Sequence, residues 1–141
     1  MTEITAITKI RDTYVIDPVA FFFALVAAPL AVAAGGFWAL GIPIFAVVFG
    51  GPVYLAIGAP VLLWYLGRRP PEPWRIAGLA LVSFGAPAAV FMLYQLVTGG
   101  ERAVQEFSLF AGFGLIFAPL WGGVFGMFYR NFRRDIYARP I

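Results

Sequence analysis

The chain has 141 residues, of which 62% are hydrophobic and 12% are charged, and it contains neither cysteine nor histidine. Soluble domains carry about 25% charged residues, so this composition excludes an ordinary soluble globular protein, and the high hydrophobicity excludes a disordered one. The missing cysteines and histidines exclude disulfides, thiol chemistry and the usual ligands of zinc and haem. We therefore expect no cofactor and no metal site.

Three runs of the sequence carry no charged side chain. They contain 50, 25 and 23 residues, and a helix of about 20 residues crosses the hydrocarbon core of a membrane. The longest run must fold back once, near residues 35–43. Strands are disfavoured because the runs are apolar on every face. We predict an all-α integral membrane protein, one domain with four spans at about 18–34, 43–66, 74–97 and 103–129.

The positive charges predict the orientation of this bundle. Nine of the ten Lys and Arg side chains lie in the tails 1–17 and 130–141 and in the middle loop, and Arg102 alone lies in another loop. Cytoplasmic segments are enriched in Lys and Arg, so both termini are expected in the cytoplasm. The expected partner is the lipid bilayer, and nucleic acid is not expected. The arginines expected to contact anionic headgroups or a protein partner are Arg68, Arg69, Arg75, Arg130, Arg133 and Arg134.

The start of the first span has two interpretations. Asp17 followed by Pro18 is typical of a helix N-terminus, with the aspartate as N-cap and the proline in the first turn. Residues 1–34 also resemble a signal peptide that ends at Ala31-Val32-Ala33, and its cleavage would leave three spans. Acidic residues in the amino-terminal segment, such as Asp12, favour a retained helix.

Every predicted span contains a proline, and each interior proline predicts a kink because it removes a backbone N–H. The strongest break is Gly50-Gly51-Pro52, near the middle of the second span. Broken helices at this depth line transport sites, but proline is also frequent in membrane helices for structural reasons. The scarcity of nearby polar groups favours the structural interpretation. The interior prolines are Pro29, Pro52, Pro60, Pro87 and Pro119.

Small residues recur at helical spacing in the first and fourth spans. Such ridges let helices approach closely in lipid, either within one chain or between the subunits of an oligomer. Four spans of one chain can pack against one another through these ridges, which favours contacts within the chain. The predicted helix-packing residues are Ala27, Ala31, Gly35, Gly114, Ala118, Gly122 and Gly126.

The spans contain few side chains that could take part in catalysis or in proton-coupled transport. No Asp, Glu, Lys or Arg lies deep inside a span, so neither proton-coupled transport nor enzyme activity is predicted. Tyr54, Ser83 and Trp121 share a similar depth and form a candidate pore or site for a lipid or quinone-like ligand. Ser83 is also expected to bond to a carbonyl of its own helix.

Two functions fit these features. The first is a non-catalytic accessory, assembly or scaffold subunit of a membrane complex, which the small-residue ridge favours. The alternative is a small transporter, channel or flippase for an apolar or amphiphilic substrate, which the proline breaks favour. Arginine greatly outnumbers lysine, and Ala, Gly and Pro are abundant. This composition suits a GC-rich bacterial genome and hence the bacterial inner membrane.

Overall fold

A computed structural model describes residues 14–36 and 42–134. The predictions for the amino-terminal tail before Tyr14 and for the end of the carboxy-terminal tail lie outside these residues. The described chain is helical apart from short connections, which confirms the all-α class. Its four helices are α1 (Pro18–Gly35), α2 (Ile42–Leu66), α3 (Pro73–Val97) and α4 (Glu101–Phe132).

Each helix is long and apolar enough to cross a membrane, as the charge-free runs predicted. The observed bounds agree with the predicted spans to within three residues. In the longest run, α1 ends at Gly35 and α2 begins at Ile42, which agrees with the predicted position of the fold-back. The largest difference is at α4, which has 32 residues and continues to Phe132.

Asp17 begins α1 in the way that the sequence predicts. Its carboxylate accepts hydrogen bonds from the backbone N–H groups of Val19 at 3.1 Å and Ala20 at 3.3 Å, and Pro18 occupies the first turn. Glu72 precedes Pro73 in the same way at the start of α3, but its side chain does not cap the helix. The Glu72 carboxylate instead pairs with Arg75 at 2.6 Å.

The backbone of α2 changes type close to the predicted break. Residues Tyr54–Gly58 form a π-helical segment, in which the N–H of Ala59 donates to the carbonyl of Tyr54. Pro60 has no N–H, and its ring crowds the carbonyl of the preceding turn. One additional residue per turn relieves this crowding, and such bulges are a recognised cause of bending. The kinks at the prolines stay predictions.

The four helices run alternately up and down, so that all the described arginines except Arg102 lie at one end of the bundle. The N–H of Tyr14 donates to the carbonyl of Gly67 at 3.3 Å, which places the start of α1 beside the end of α2. Asp17 contacts Arg134 in the same region. We call this the basic end. Its arginines are Arg68, Arg69, Arg75, Arg130, Arg133 and Arg134.

The packed core lies in the half of the bundle nearest the basic end. Its aromatic centre includes Phe21 and Phe125, whose rings meet edge to face at 5.5 Å. In the other half, α2 packs mainly on α1, has few contacts with α3 and α4, and is largely exposed. The core residues are Ala20, Phe21, Ala24, Leu25, Ala28, Leu62, Tyr65, Leu66, Ile76, Phe125 and Tyr129.

Candidate ligand-binding cavity

The predicted ridge of small residues on α4 lies against α3. A Cβ atom added to Gly122 would lie 2.8 Å from the Cβ of Ala80 and 3.0 Å from the carbonyl oxygen of Ile76. At Gly126 an added Cβ would lie 2.7 Å from the Cα of Pro73. The absence of side chains at these glycines therefore allows the two helices to approach closely.

The remaining ridge residues lie in different surroundings. Gly114 faces the ring of Phe84, and Ala118 lines the cavity described below. On α1, Ala27 and Ala31 are half-buried, and a Cβ at Gly35 would meet no atom of the described residues within 4 Å. The most deeply buried small residues of α1 are Ala20, Ala24 and Ala28. Their repeat runs along a neighbouring face of the helix.

A cavity of about 350 Å³ lies between α2, α3 and α4. Its walls extend along α2 from Ile42 to Leu62 and include Phe84 of α3 and Phe117 of α4. Such a volume lies in the range of small-molecule sites. Small residues in the walls leave this space open, because they place little side-chain volume between the helices. They are Ala46, Gly50, Gly58, Ala80, Gly114, Ala118 and Gly122.

Tyr54, Ser83 and Trp121, which the sequence placed at a similar depth, all line this cavity. The rings of Tyr54 and Trp121 meet edge to face at 5.3 Å. The Ser83 hydroxyl donates to the carbonyl of Ala80 at 3.2 Å, the intrahelical bond that was expected. The structure therefore brings the three candidate residues together around one apolar space.

Two polar atoms of this group have no hydrogen-bond partner among the described residues. They are the hydroxyl of Tyr54 and the Nε1 of Trp121, and both atoms are buried. Trp121 as a whole is only 3% exposed. Leaving a buried donor without a partner costs about 1–3 kcal/mol, so each atom is a potential attachment point for a ligand.

An ion pair with a buried carboxylate lies at the basic end, away from the cavity. Asp17 is 1% exposed, and its carboxylate accepts from the Nε of Arg134 at 2.9 Å and from a terminal guanidinium nitrogen at 3.1 Å. The N–H of Asp17 donates to the Tyr129 hydroxyl at 3.1 Å. We call this contact the Asp17–Arg134 clasp, and it joins the start of α1 to the end of α4.

The clasp also determines the charge state of Asp17. The Arg134 guanidinium holds the pKa of the Asp17 carboxyl well below its usual range, and the backbone N–H groups of Arg134, Ala20 and Val19 act in the same direction against the effect of burial. Asp17 is therefore a carboxylate at neutral pH. The sequence had identified only its role as an N-cap, and had assigned Arg134 to headgroups or a partner.

The other predicted arginines have varied surroundings. Arg68 lies over the ring of Trp64 at 4.7 Å, and Arg75 pairs with Glu72. Arg69 and Arg130 are exposed, and Arg133 is half-buried. At the opposite end, Arg102 and Glu106 approach to 3.9 Å as an exposed pair, and such a pair contributes little. Within residues 14–36 and 42–134 there is no group of three potential metal-ligating side chains.

Comparison with family models, with curated proteins and with solved structures finds no match. The function must therefore be inferred from the chemistry of the chain's own residues, chiefly the apolar cavity and the basic end.

Proposed function

We propose that the four helices cross a lipid bilayer. The support is the apolar surface of the bundle, on which large side chains such as Phe22, Phe49 and Val90 are 65–68% exposed. A soluble monomer rarely exposes contiguous apolar patches beyond a few hundred Å². In a membrane the same side chains contact acyl chains, and the helical backbone satisfies its own hydrogen bonds.

The proposed orientation places the basic end in the cytoplasm, and the proposed location is a bacterial inner membrane. Six arginines of the described residues lie at this end, and an arginine that reaches anionic headgroups contributes about 1 kcal/mol. Reporter fusions at the carboxy-terminus and in the loop between Arg68 and Arg75 are expected to report the cytoplasm. A fusion at Gly99-Gly100 is expected to report the opposite side. A carboxy-terminus outside the cytoplasm would contradict this orientation.

We further propose that the protein binds an apolar or amphiphilic small molecule in the cavity between α2, α3 and α4, as a small transporter, channel or flippase. The observation that carries this proposal is the cavity of about 350 Å³. The small-residue ridge on α4, which had favoured a protein partner, packs against α3 through Gly122 and Gly126. The ridge is therefore accounted for within the chain, and the cavity is the feature left to explain.

The packing of α2 provides a route by which a substrate enters the cavity. Its first half packs mainly on α1 and has few contacts with α4, and its core side chains, Leu62, Tyr65 and Leu66, lie near the basic end. Its π-helical segment Tyr54–Gly58 borders the cavity, and Gly50-Gly51-Pro52 lies immediately before it. Movement of the first half of α2 away from α4 would admit a substrate from the lipid, while the core at the basic end stays packed.

Substitution of Ala46 by tryptophan tests the proposal. Ala46 lines the cavity on α2, so an indole there fills the space. Saturable binding of an amphiphile, 2-tridecanone, to the purified protein is measured by native mass spectrometry, and we expect at least a tenfold loss of affinity. That loss corresponds to about 1.4 kcal/mol.

The matched control is Ala56→Trp, at an exposed position of α2 outside the cavity. It is expected to bind 2-tridecanone as the wild type does. The absence of saturable binding to the wild type, or an equal effect of both substitutions, would contradict a ligand site here. Flux or lipid scrambling by the reconstituted protein, compared with empty vesicles, then separates a transporter from a simple binding protein.

A second candidate is a non-catalytic accessory or scaffold subunit. It is favoured by α2 and α3, which leave most of their apolar surface without contacts inside the chain. A partner helix, or a second copy of this chain, could cover part of that surface. Co-purification in mild detergent tests this candidate, because a protein that stays monomeric and alone in several lipids has no such partner.

A further inference from the structure

Two aromatic side chains that carry hydrogen-bond donors meet at the wall of the cavity, and they belong to different helices. Tyr54 belongs to α2 and Trp121 to α4, and their rings lie 5.3 Å apart at 75° to each other. The Tyr54 hydroxyl and the Trp121 Nε1 are both buried and have no partner in the described part of the chain. An indole N–H can only donate, and a phenol O–H can donate as well.

Such orphaned donors are unusual, because buried polar side chains nearly always have a hydrogen-bond partner. Tyr65 provides an instructive comparison, since its hydroxyl is also buried and has no partner within residues 14–36 and 42–134. Tyr65, however, belongs to the packed core and does not line the cavity. Among the residues that the structure describes, only Tyr54 and Trp121 combine a buried, unpaired donor with a place on the wall of the cavity.

The other residues that line the cavity determine which chemical groups the ligand can have. Among the described residues, no Asp, Glu, Lys or Arg lines the cavity. A charged group would lose its hydration there and find no opposite charge, which is strongly unfavourable. The Ser83 hydroxyl donates to Ala80, so its proton is already engaged.

We propose that the ligand of this cavity is an uncharged amphiphile whose hydrogen-bond acceptor, the carbonyl oxygen of a ketone, quinone or ester, binds the Tyr54 hydroxyl and the Trp121 indole N–H. This inference rests on the proposed function, because it requires that the cavity binds a small molecule. The acyl or alkyl part of the ligand packs along the apolar walls, among residues such as Phe84 and Phe117. The two donors determine its position and orientation.

A matched pair of probes isolates the acceptor. 2-Tridecanone carries one carbonyl oxygen, and tridecane has the same chain without it. Tyr54→Phe removes one donor and keeps the ring. We expect about a three- to tenfold loss of affinity for the ketone, the effect of one neutral hydrogen bond, and no change for tridecane. Binding is measured by native mass spectrometry of the full chain.

Tyr65→Phe is the matched control, because it removes a buried, unpaired hydroxyl outside the cavity. It is expected to change the affinity for neither probe. Trp121→Phe removes the second donor and also shortens the ring, so its readout is the ratio of ketone to tridecane affinity. That ratio is expected to fall, whatever happens to the absolute values.

The possible outcomes test the binding function and the identity of the ligand separately. Saturable binding of both probes with equal affinity, unchanged by Tyr54→Phe, overturns the assignment of an acceptor-bearing ligand and leaves the binding function standing. No saturable binding of either probe to the wild type overturns both. A ketone preference that Tyr54→Phe reduces and Tyr65→Phe leaves intact supports the inference.

Discussion

Replacement of Gly122 by isoleucine is expected to destabilise the protein by about 3 kcal/mol, because it overpacks the contact between α3 and α4. An added Cβ would lie 3.0 Å from the carbonyl oxygen of Ile76 and 3.3 Å from the Cα of Ala77. Both are backbone atoms, so no rotamer change can relieve the contact. The two helices must separate, and they form the most extensive interface of the fold.

Gly112→Ile is the control for this prediction. It introduces the same side chain into the same helix, at an exposed position where an added Cβ would meet no atom within 4 Å. The melting temperature of both variants is measured in one detergent. We expect a large decrease for Gly122→Ile and little change for Gly112→Ile. Equal melting temperatures for the two variants would show that α4 does not pack on α3 through Gly122.

Asp17→Ala is expected to lower the free energy of unfolding by about 2.5 kcal/mol. The substitution removes the N-cap of α1, worth about 1 kcal/mol. It also removes the charge-assisted hydrogen bonds to Arg134, worth about 1.5–3 kcal/mol, with the lower value appropriate because the Arg134 side chain is 53% exposed. The two helix ends that the clasp joins are 117 residues apart in the sequence.

The control for Asp17→Ala is Glu72→Ala, which breaks an ion pair whose two side chains are about half exposed. It is expected to cost less than about 0.5 kcal/mol. In a double-mutant cycle with Arg134→Ala, the effects of the Asp17 and Arg134 substitutions are expected to be clearly non-additive. Additive effects would mean that Asp17 acts only as a cap and that the clasp contributes no stability.

The clasp also predicts a pH dependence. Arg134 holds the pKa of Asp17 below its usual range in the folded protein, whereas in the unfolded chain the pKa is about 3.9. The stabilisation is therefore fully present above that value and is lost as the pH falls toward the folded pKa. The stability difference between the wild type and Asp17→Ala is expected to stay constant from about pH 7 to pH 5 and to narrow below about pH 4.

The helix bounds could be predicted because charge and hydrophobicity vary along the sequence. Asp17-Pro18 and the loss of charge after it locate the start of α1, and Gly67 with the following arginines locates the end of α2. Which face of a helix packs inward could not be predicted for α1. Its residues are apolar on every side, so the repeat Ala27, Ala31, Gly35 and the repeat Ala20, Ala24, Ala28 look alike in the sequence.

The candidate site was predictable in part for a similar reason. The helical rise places Tyr54, Ser83 and Trp121 at comparable depths in any antiparallel bundle, and the structure brings them to one cavity. Their unpaired donors could not be predicted, because pairing depends on how α2 and α4 are rotated about their axes. The clasp could not be predicted either, because Arg134 lies beyond the last apolar residue of α4. Only the tertiary fold brings it to Asp17.

Photolabelling of the wild-type protein in lipid nanodiscs tests the central claim most directly. The probe is a long-chain methyl ketone that carries a diazirine on its alkyl chain, and the labelled residues are identified by peptide mass spectrometry. The proposal predicts adducts concentrated on the less exposed cavity walls, at positions such as Phe84 and Phe117, and suppressed by excess 2-tridecanone. Adducts spread over outward-facing residues such as Val19 and Phe22, with no competition by the unlabelled ketone, would contradict it.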